Sequence, residues 1–259
     1  MTLTPEQLNQ WQQDGFLKVA AFLNPTETEA LQCWVEEIES WADSEDRWMH
    51  HREETPFGIR LSRSENFVPY HAGMRSLLTQ GQVLDALALL MGESAVLYKE
   101  KINYKYPGGG GYAAHQDAPA YDEIKHHVTC LFSSDPATSQ SGCLEFCASR
   151  HREGLIGLND QGCIDREIAD GMEWIAVETE PGDAVFFDSY APHRSSVNQS
   201  TAPRRTLYVT YNARSEGDKR DAYYERKRQA LIRYAAAGEG TGQSGRISTI
   251  GHFQGKTVH

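Results

Sequence analysis

Long apolar runs are missing from this chain. No hydrophobic stretch approaches the roughly 20 residues that a membrane-spanning helix needs, so no helical span is expected. The polar start Met1-Thr-Leu-Thr-Pro5 runs straight into a helix signal and shows no signal-peptide pattern, so a cytoplasmic protein is expected. Positive charge is scarce too. Lys and Arg number 25 against 36 Asp and Glu, a formal net charge of −11, which argues against a nucleic-acid or anionic-membrane partner. Cysteine is sparse and odd in number. The five residues Cys33, Cys130, Cys143, Cys147 and Cys163 are spread too widely for a disulfide framework. Cys143 and Cys147 read as same-side strand neighbours rather than as a metal pair, and reduced core thiols are expected. Internal repeats are absent. What remains is a chain of 259 residues, long enough for one domain with a sizeable core.

The chemistry is concentrated in Tyr112-Ala-Ala-His115-Gln-Asp117. In an extended segment side chains alternate with period two, so His115 and Asp117 point to one side and can share a metal ion. A second imidazole, His193, lies in Ala191-Pro-His-Arg-Ser195. Two His and one carboxylate form the facial triad of Fe(II) sites, which leaves coordination positions open. A lone His-x-Asp arises by chance in many proteins, so its companions matter. Asn198 follows His193, and Arg204 and Arg205 lead into the strand-like Thr206-Leu-Tyr-Val-Thr-Tyr211. An arginine there could clamp the far carboxylate of an organic acid with its planar fork. Adjacent strand residues face opposite ways, so only one of the two arginines can point inward.

His115-x-Asp117, His193, Asn198 and an arginine eleven positions after that histidine resemble the phytanoyl-CoA dioxygenase family, over about residues 3–211. The resemblance implies an oxidoreductase with a double-stranded β-helix (jelly-roll, cupin-like) core, mainly β with flanking helices. It implies Fe(II) on His115, Asp117 and His193, with 2-oxoglutarate and O2 as cosubstrates. It implies Arg204 as the 2-oxoglutarate clamp, with Asn103, Thr129 and Ser195 assisting, and no catalytic side chain beyond the metal site. A carboxylate at Asp117 implies hydroxylation, because related halogenases leave that position open. The segments Ser141-Gly-Cys-Leu-Glu-Phe146 and Ser149-Arg-His151 are similar to the family pattern, with Ser141 and Ala148-Ser149 replacing its usual Asn and Gly.

Taken in order, Thr4-Pro-Glu-Gln7 and Asn24-Pro-Thr-Glu27 carry N-cap, proline and capping-box signals for two helices, the second over 25–42. The residues 43–70 lack periodicity and read either as a lid or substrate loop or as a solvated connection. A helix is expected over 74–90 with a break near Gly81. A long strand follows at 95–105, and further strands near 127–132, 174–179, 184–189 and 206–211. Gly108 to Gly111 read as a turn delivering His115. The core is expected at about 95–213, within a single domain over 1–259. A charged helix follows over 217–237. The residues 238–259 read as a mobile tail or as a lid whose Arg246, Ser248 and His252 reach an anionic substrate.

The 95–105 strand alternates an apolar set with Lys99, Lys101, Asn103 and Lys105. Lysines usually face solvent, and burying them unpaired is costly; the resemblance favours the interior for Asn103 and at least one of the lysines. With Arg60 and Arg63 they favour a small anion as substrate, and Tyr112 and Tyr121 offer faces for an ammonium group. The run Leu61-Ser-Arg-Ser-Glu-Asn-Phe67, with the 99–105 strand and the His115-Gln-Asp-Ala-Pro-Ala-Tyr121 motif, is similar to the organophosphonate-hydroxylating branch. That resemblance implies hydroxylation of carbon 1 of 2-aminoethylphosphonate or an N-methylated analogue, upstream of an iron enzyme that cleaves the C–P bond. Three readings compete: the same chemistry on an ectoine-like or amino-acid-derived metabolite, a zinc hydrolase, and a non-catalytic β-barrel binding module. The oligomeric state is not encoded in any pattern found.

Overall fold

A computed structural model describes residues 3–236 and 252–258 of the chain. The first helix, α1 (Pro5–Asp14), starts on Thr4, whose side chain accepts from the Gln7 backbone while the Gln7 side chain accepts from the Thr4 backbone. It leads into β1 (Phe16–Val19), and α2 (Pro25–Glu39) starts on Asn24 with the same reciprocal pair to Glu27. Both capping boxes are those expected from the sequence. The second helix stops three residues short of the expected 42.

The aperiodic stretch is a correction. Within 43–70 the chain folds as a hairpin, β2 (Met49–Thr55) and β3 (Gly58–Glu65), turning through Pro56 and Phe57. Its residues are polar on both faces because one face lines a polar cavity, so the alternation that marks a half-buried strand is lost. Helices α3 (Ala72–Thr79) and α4 (Gln82–Met91) follow, broken where Gly81 takes φ 65°, ψ −145°. The long strand β4 (Ala95–Lys105) is as read, and β5 (Tyr112–His115), β6 (His127–Ser133) and β7 (Leu144–Phe146) succeed it. A short helix α5 (Arg166–Asp170) precedes β8 (Ile175–Val177), β9 (Ala184–Asp188), β10 (His193–Ser195) and β11 (Arg204–Ala213). Helix α6 (Arg220–Ala236) and β12 (Lys256–Val258) complete the described residues.

The strands form two antiparallel sheets. The larger runs β1-β9-β6-β11-β4-β3-β2-β12 and the smaller β5-β10-β7-β8. This is the double-stranded β-helix expected from the sequence, mainly β with flanking helices. Helices α1 to α4 cover the outer face of the large sheet. Leu31, Val35, Ile38, Met74 and Leu87 pack there with Ile102, Tyr104, Phe132, Leu207 and Val209. Between the sheets, Leu131, Val185, Phe187 and Tyr208 meet Leu144 and Phe146. Alternation therefore sends Thr206, Tyr208 and Thr210 of β11, and Lys101 and Asn103 of β4, toward the interior.

Cys130, Cys143, Cys147 and Cys163 are buried and in no disulfide, as expected, but Cys33 is exposed on α2, so the expectation of core thiols fails for that residue. Among the described residues no helix is long and apolar enough to cross a membrane. Arg246 and Ser248 lie outside the described residues. His252 lies within them, and 252–258 return to the large sheet, where β12 pairs with β2.

Candidate metal centre

Strands β5 and β10 pair so that His115 and His193 are direct cross-strand partners. With Asp117 they are the one group of three among the described residues whose ligand atoms all lie within 4.8 Å of one another. Asp117 reaches the histidines differently from the way the alternation argument expects. The strand ends at His115, and Asp117 has helical angles (φ −75°, ψ −23°) at the head of a 3-10 turn. That turn is pinned by Ala118 N donating to Ser189 O at 2.9 Å. The intervening Gln116 is fully buried. Its amide nitrogen donates to Gly154 O and Tyr190 O, and its oxygen accepts from Ile156 N, so it anchors the ligand loop.

Each imidazole has its Nδ1 on a backbone carbonyl, His115 on Ala113 O at 2.7 Å and His193 on Ala191 O at 3.0 Å. Such bonds fix the tautomer and leave Nε2 free for a metal. Burial, reinforced at His115 by the nearby His193, lowers the pKa of both; that of His115 falls to about 3. Burial opposes ionisation of Asp117, but His193, His115 and Lys101 outweigh it and hold the carboxyl below its ordinary range. Two neutral imidazoles on neighbouring strands and one carboxylate on the turn that follows match the donor set of an Fe(II) facial site.

One end of the cavity is set by β11. Arg204 is 1% exposed and turns inward, with Nη1 donating to Thr206 Oγ1 at 3.0 Å and Nη2 to Gly142 O at 2.7 Å. Its Nε is buried without a partner. Arg205 turns outward into ion pairs with Asp135, Glu36 and Glu39. Lys105 joins the Arg204 end, donating to Ser195 Oγ at 2.9 Å and to the carbonyls of Gly142 and Ser196. Two buried cations held only by neutral oxygens suit a carboxylate ligand. Asn198 shapes this corner by donating to Lys105 O and Ala202 O. Thr129 and Asn103 lie elsewhere in the cavity. Thr129 Oγ1 is 3.4 Å from Asp117 Oδ2, and Asn103 Oδ1 accepts from Arg63 Nε at 3.2 Å.

The opposite side is cationic. Arg63, 1% exposed, spans Asn103, Glu65 (3.2 Å) and the Tyr112 hydroxyl (3.2 Å). Glu65, fully buried, also accepts from Lys227 of α6 and lies 3.8 Å from His51 Nε2. Lys99 donates to the Tyr121 hydroxyl at 2.8 Å, and Lys101 sits 5.1 Å from the Tyr208 ring centre. Arg60 is a correction: it is exposed on the hairpin with its guanidinium on Ile59 O, because β3 turns its neighbour Arg63 inward instead. Glu65 lay within the 61–67 run already singled out but was not named for the site, and Lys227 had no local signal pointing to it. Lys227 lies on a highly charged helix, and only the docking of α6 brings it in. His252 lines the cavity with Lys101, Tyr112, His115, Asp117 and Tyr121.

The phytanoyl-CoA dioxygenase model matches residues 11–206. The chain is 54% identical to a methylphosphonate hydroxylase of Gimesia maris, covering 98% of this chain and 97% of that relative. It is 40% identical to a 2-aminoethylphosphonate dioxygenase from the uncultured bacterium HF130_AEPn_1, over 87% and 88% of the two chains. Among solved structures, EctD from S. alaskensis with bound Fe aligns with TM-score 0.70 at 19% identity, over 83% of this chain and 78% of that one. The epimerase SnoN in complex with Fe3+, alpha ketoglutarate and nogalamycin RO aligns with TM-score 0.69 at 18% identity, over 80% and 82%. The chain belongs to the phytanoyl-CoA dioxygenase family. It is an oxygenase that acts on a small molecule and uses Fe(II), 2-oxoglutarate and O2, and the hydrolase and binding-module readings are set aside.

Proposed function

We propose that this member of the family hydroxylates carbon 1 of a small phosphonate, with methylphosphonate and 2-aminoethylphosphonate as the first substrates to test. The observation that carries the reading is the cationic wall of buried Arg63 and Lys99 with half-buried Lys101 and Lys227, four cations set against Glu65 and the metal-site carboxylate Asp117. Burial, then Arg63 and Lys99, hold the Lys101 ammonium well below its usual range. A phosphonate dianion would relieve that crowding and accept several charge-assisted hydrogen bonds. The two relatives named for phosphonate substrates support the same choice.

In this reading His115, Asp117 and His193 hold the iron. Arg204 pairs with the far carboxylate of 2-oxoglutarate, and Lys105, through Ser195, shapes that end. When bound, iron and 2-oxoglutarate supply the oxidising power for C–H hydroxylation. The protein's part is to bind, orient and exclude water. The backbone carbonyls of Ala113 and Ala191 keep both imidazoles in the ligating tautomer. Thr129 and Thr210 steady the Asp117 side of the cavity. The cationic wall holds the phosphonate so that carbon 1 faces the metal side. The whole of 1–259 acts as one oxygenase domain, since Tyr223 of α6 packs against the cavity residue Tyr121 and His252 lines the same cavity. A 1-hydroxyphosphonate product is a substrate for an enzyme that breaks the C–P bond.

The test is succinate release from Fe(II)-loaded protein with 2-oxoglutarate and O2. Release that depends on either phosphonate is expected, and His115→Ala should abolish it together with Fe(II) binding. Release with another metabolite, and with neither phosphonate, would sink the reading.

A further inference from the structure

We propose that His252, carried by the segment that returns to the large sheet after α6, is a substrate-binding residue that donates a hydrogen bond to a phosphonate oxygen beside Arg63 and Lys101. The inference rests on the phosphonate reading above.

The segment is tied to the strand that bears the metal ligand. Ala113 N donates to His252 O at 2.7 Å, and Gln254 N donates to Gly111 O at 2.9 Å. Phe253 bridges Tyr112. Gly110 and Gly255 lie so close that a Cβ on Gly110 would stand 2.5 Å from Gly255 Cα. These constraints fix the His252 ring. It stacks on His115 at 4.0 Å between centres and 12° between planes, and it faces Tyr112 at 5.4 Å. The residue is 5% exposed and lines the cavity, yet its Nδ1 has no hydrogen-bond partner.

Stacking alone would be served by any flat ring. A buried imidazole nitrogen without a partner is costly, and that cost falls away if the partner arrives with the substrate. Tyr112 links the ring to Arg63, whose Nη2 donates to the Tyr112 hydroxyl, so the imidazole and the guanidinium border one corner. That corner is built by β3, β5 and the returning segment together. Removing His252 therefore weakens phosphonate binding and leaves iron and 2-oxoglutarate in place.

The test uses anaerobic protein loaded with Fe(II) and 2-oxoglutarate, titrated with methylphosphonate and, in parallel, 2-aminoethylphosphonate. The change in the visible iron–ketoacid band is followed. His252→Phe keeps the stacked ring and loses the donor; its Kd for phosphonate should rise roughly 10-fold or more. His252→Gln, which restores an N–H, should recover part of the loss. In turnover the Phe variant should show a raised KM with a smaller change in kcat. An unchanged Kd in the Phe variant overturns the proposal alone. So does loss of the iron–ketoacid band in that variant before any phosphonate is added, because His252 would then be a prop for His115. No response of the wild-type protein to either phosphonate overturns the phosphonate reading and this proposal with it.

Discussion

Arg204 and Arg205 are adjacent on β11 and turn to opposite faces of the sheet. Arg204 lies inside, held by the hydroxyls of Thr206 and Tyr208 and the carbonyl of Gly142, with Nε unpartnered. Arg205 lies outside, saturated by Asp135, Glu36 and Glu39. Lysine carries the charge of arginine without its planar fork. Arg204→Lys should therefore raise the KM for 2-oxoglutarate by roughly 10-fold or more and leave phosphonate binding near normal. Arg205→Ala should leave that KM unchanged and lower thermal stability. A steady-state titration of 2-oxoglutarate with each variant checks both. If Arg205→Ala alone raised the KM, the assignment would be reversed. Alternation let the sequence say that one arginine points inward, but not which one. The same alternation brought His115 to the right place and misdescribed Asp117, which arrives by a 3-10 turn.

Helix α6 is the element whose contribution was least visible in the sequence. It docks on β4 through a buried pair: Arg220 Nη2 lies 2.5 Å from Glu100 Oε1 and also donates to Asn66, while the Tyr224 hydroxyl donates to Glu100 O. Docking carries Lys227 to Glu65. Arg220→Met would leave Glu100 buried without its cation, a loss of roughly 3–5 kcal/mol by the usual cost of breaking such a pair. Urea denaturation should show it as a lower midpoint at unchanged slope, and an unchanged midpoint would refute it. The hairpin β2–β3 was missed for a related reason. Glu53, Arg63 and Glu65 are buried on it, but buried charged residues carry no periodic apolar signal. In contrast, β4 and β11 were legible because their outer faces, with Ile102, Tyr104, Leu207 and Val209, pack on helices in ordinary apolar fashion.

At the scale of the whole molecule, the two sheets enclose more positive than negative charge on the substrate side, and Glu65 is its counterweight. Burial alone would raise the Glu65 pKa, but Lys227, Lys99 and Arg63 outweigh it and hold the carboxyl well below the usual carboxylate range. A carboxyl held lower in the folded than in the unfolded chain gives stability that is fully present above about pH 4.5 and lost as pH falls through the folded value. The thermal midpoint should therefore drop more steeply below pH 4.5 in the wild-type protein than in Glu65→Gln. Parallel acid profiles would contradict this balance. Long-range assembly also accounts for what the sequence left undecided about 252–258, because pairing of β12 with β2 joins residues some two hundred positions apart.

That pairing has a consequence for the order of events during synthesis. Chains are made, and largely fold, from the N-terminal side onward. His115, Asp117, His193 and Arg204 all precede 252–258, which lie across β2 and over His115. On the proposed assignment, a nascent protein therefore has the residues that would hold iron and 2-oxoglutarate before it has the segment that lies over His115. If that half-built barrel took up iron, it would have every component for consuming oxygen and no complete substrate site to direct it. The returning strand thus makes the newborn enzyme's exposure to its own oxidant a matter of timing, to be read as self-oxidation of arrested chains released before residue 252.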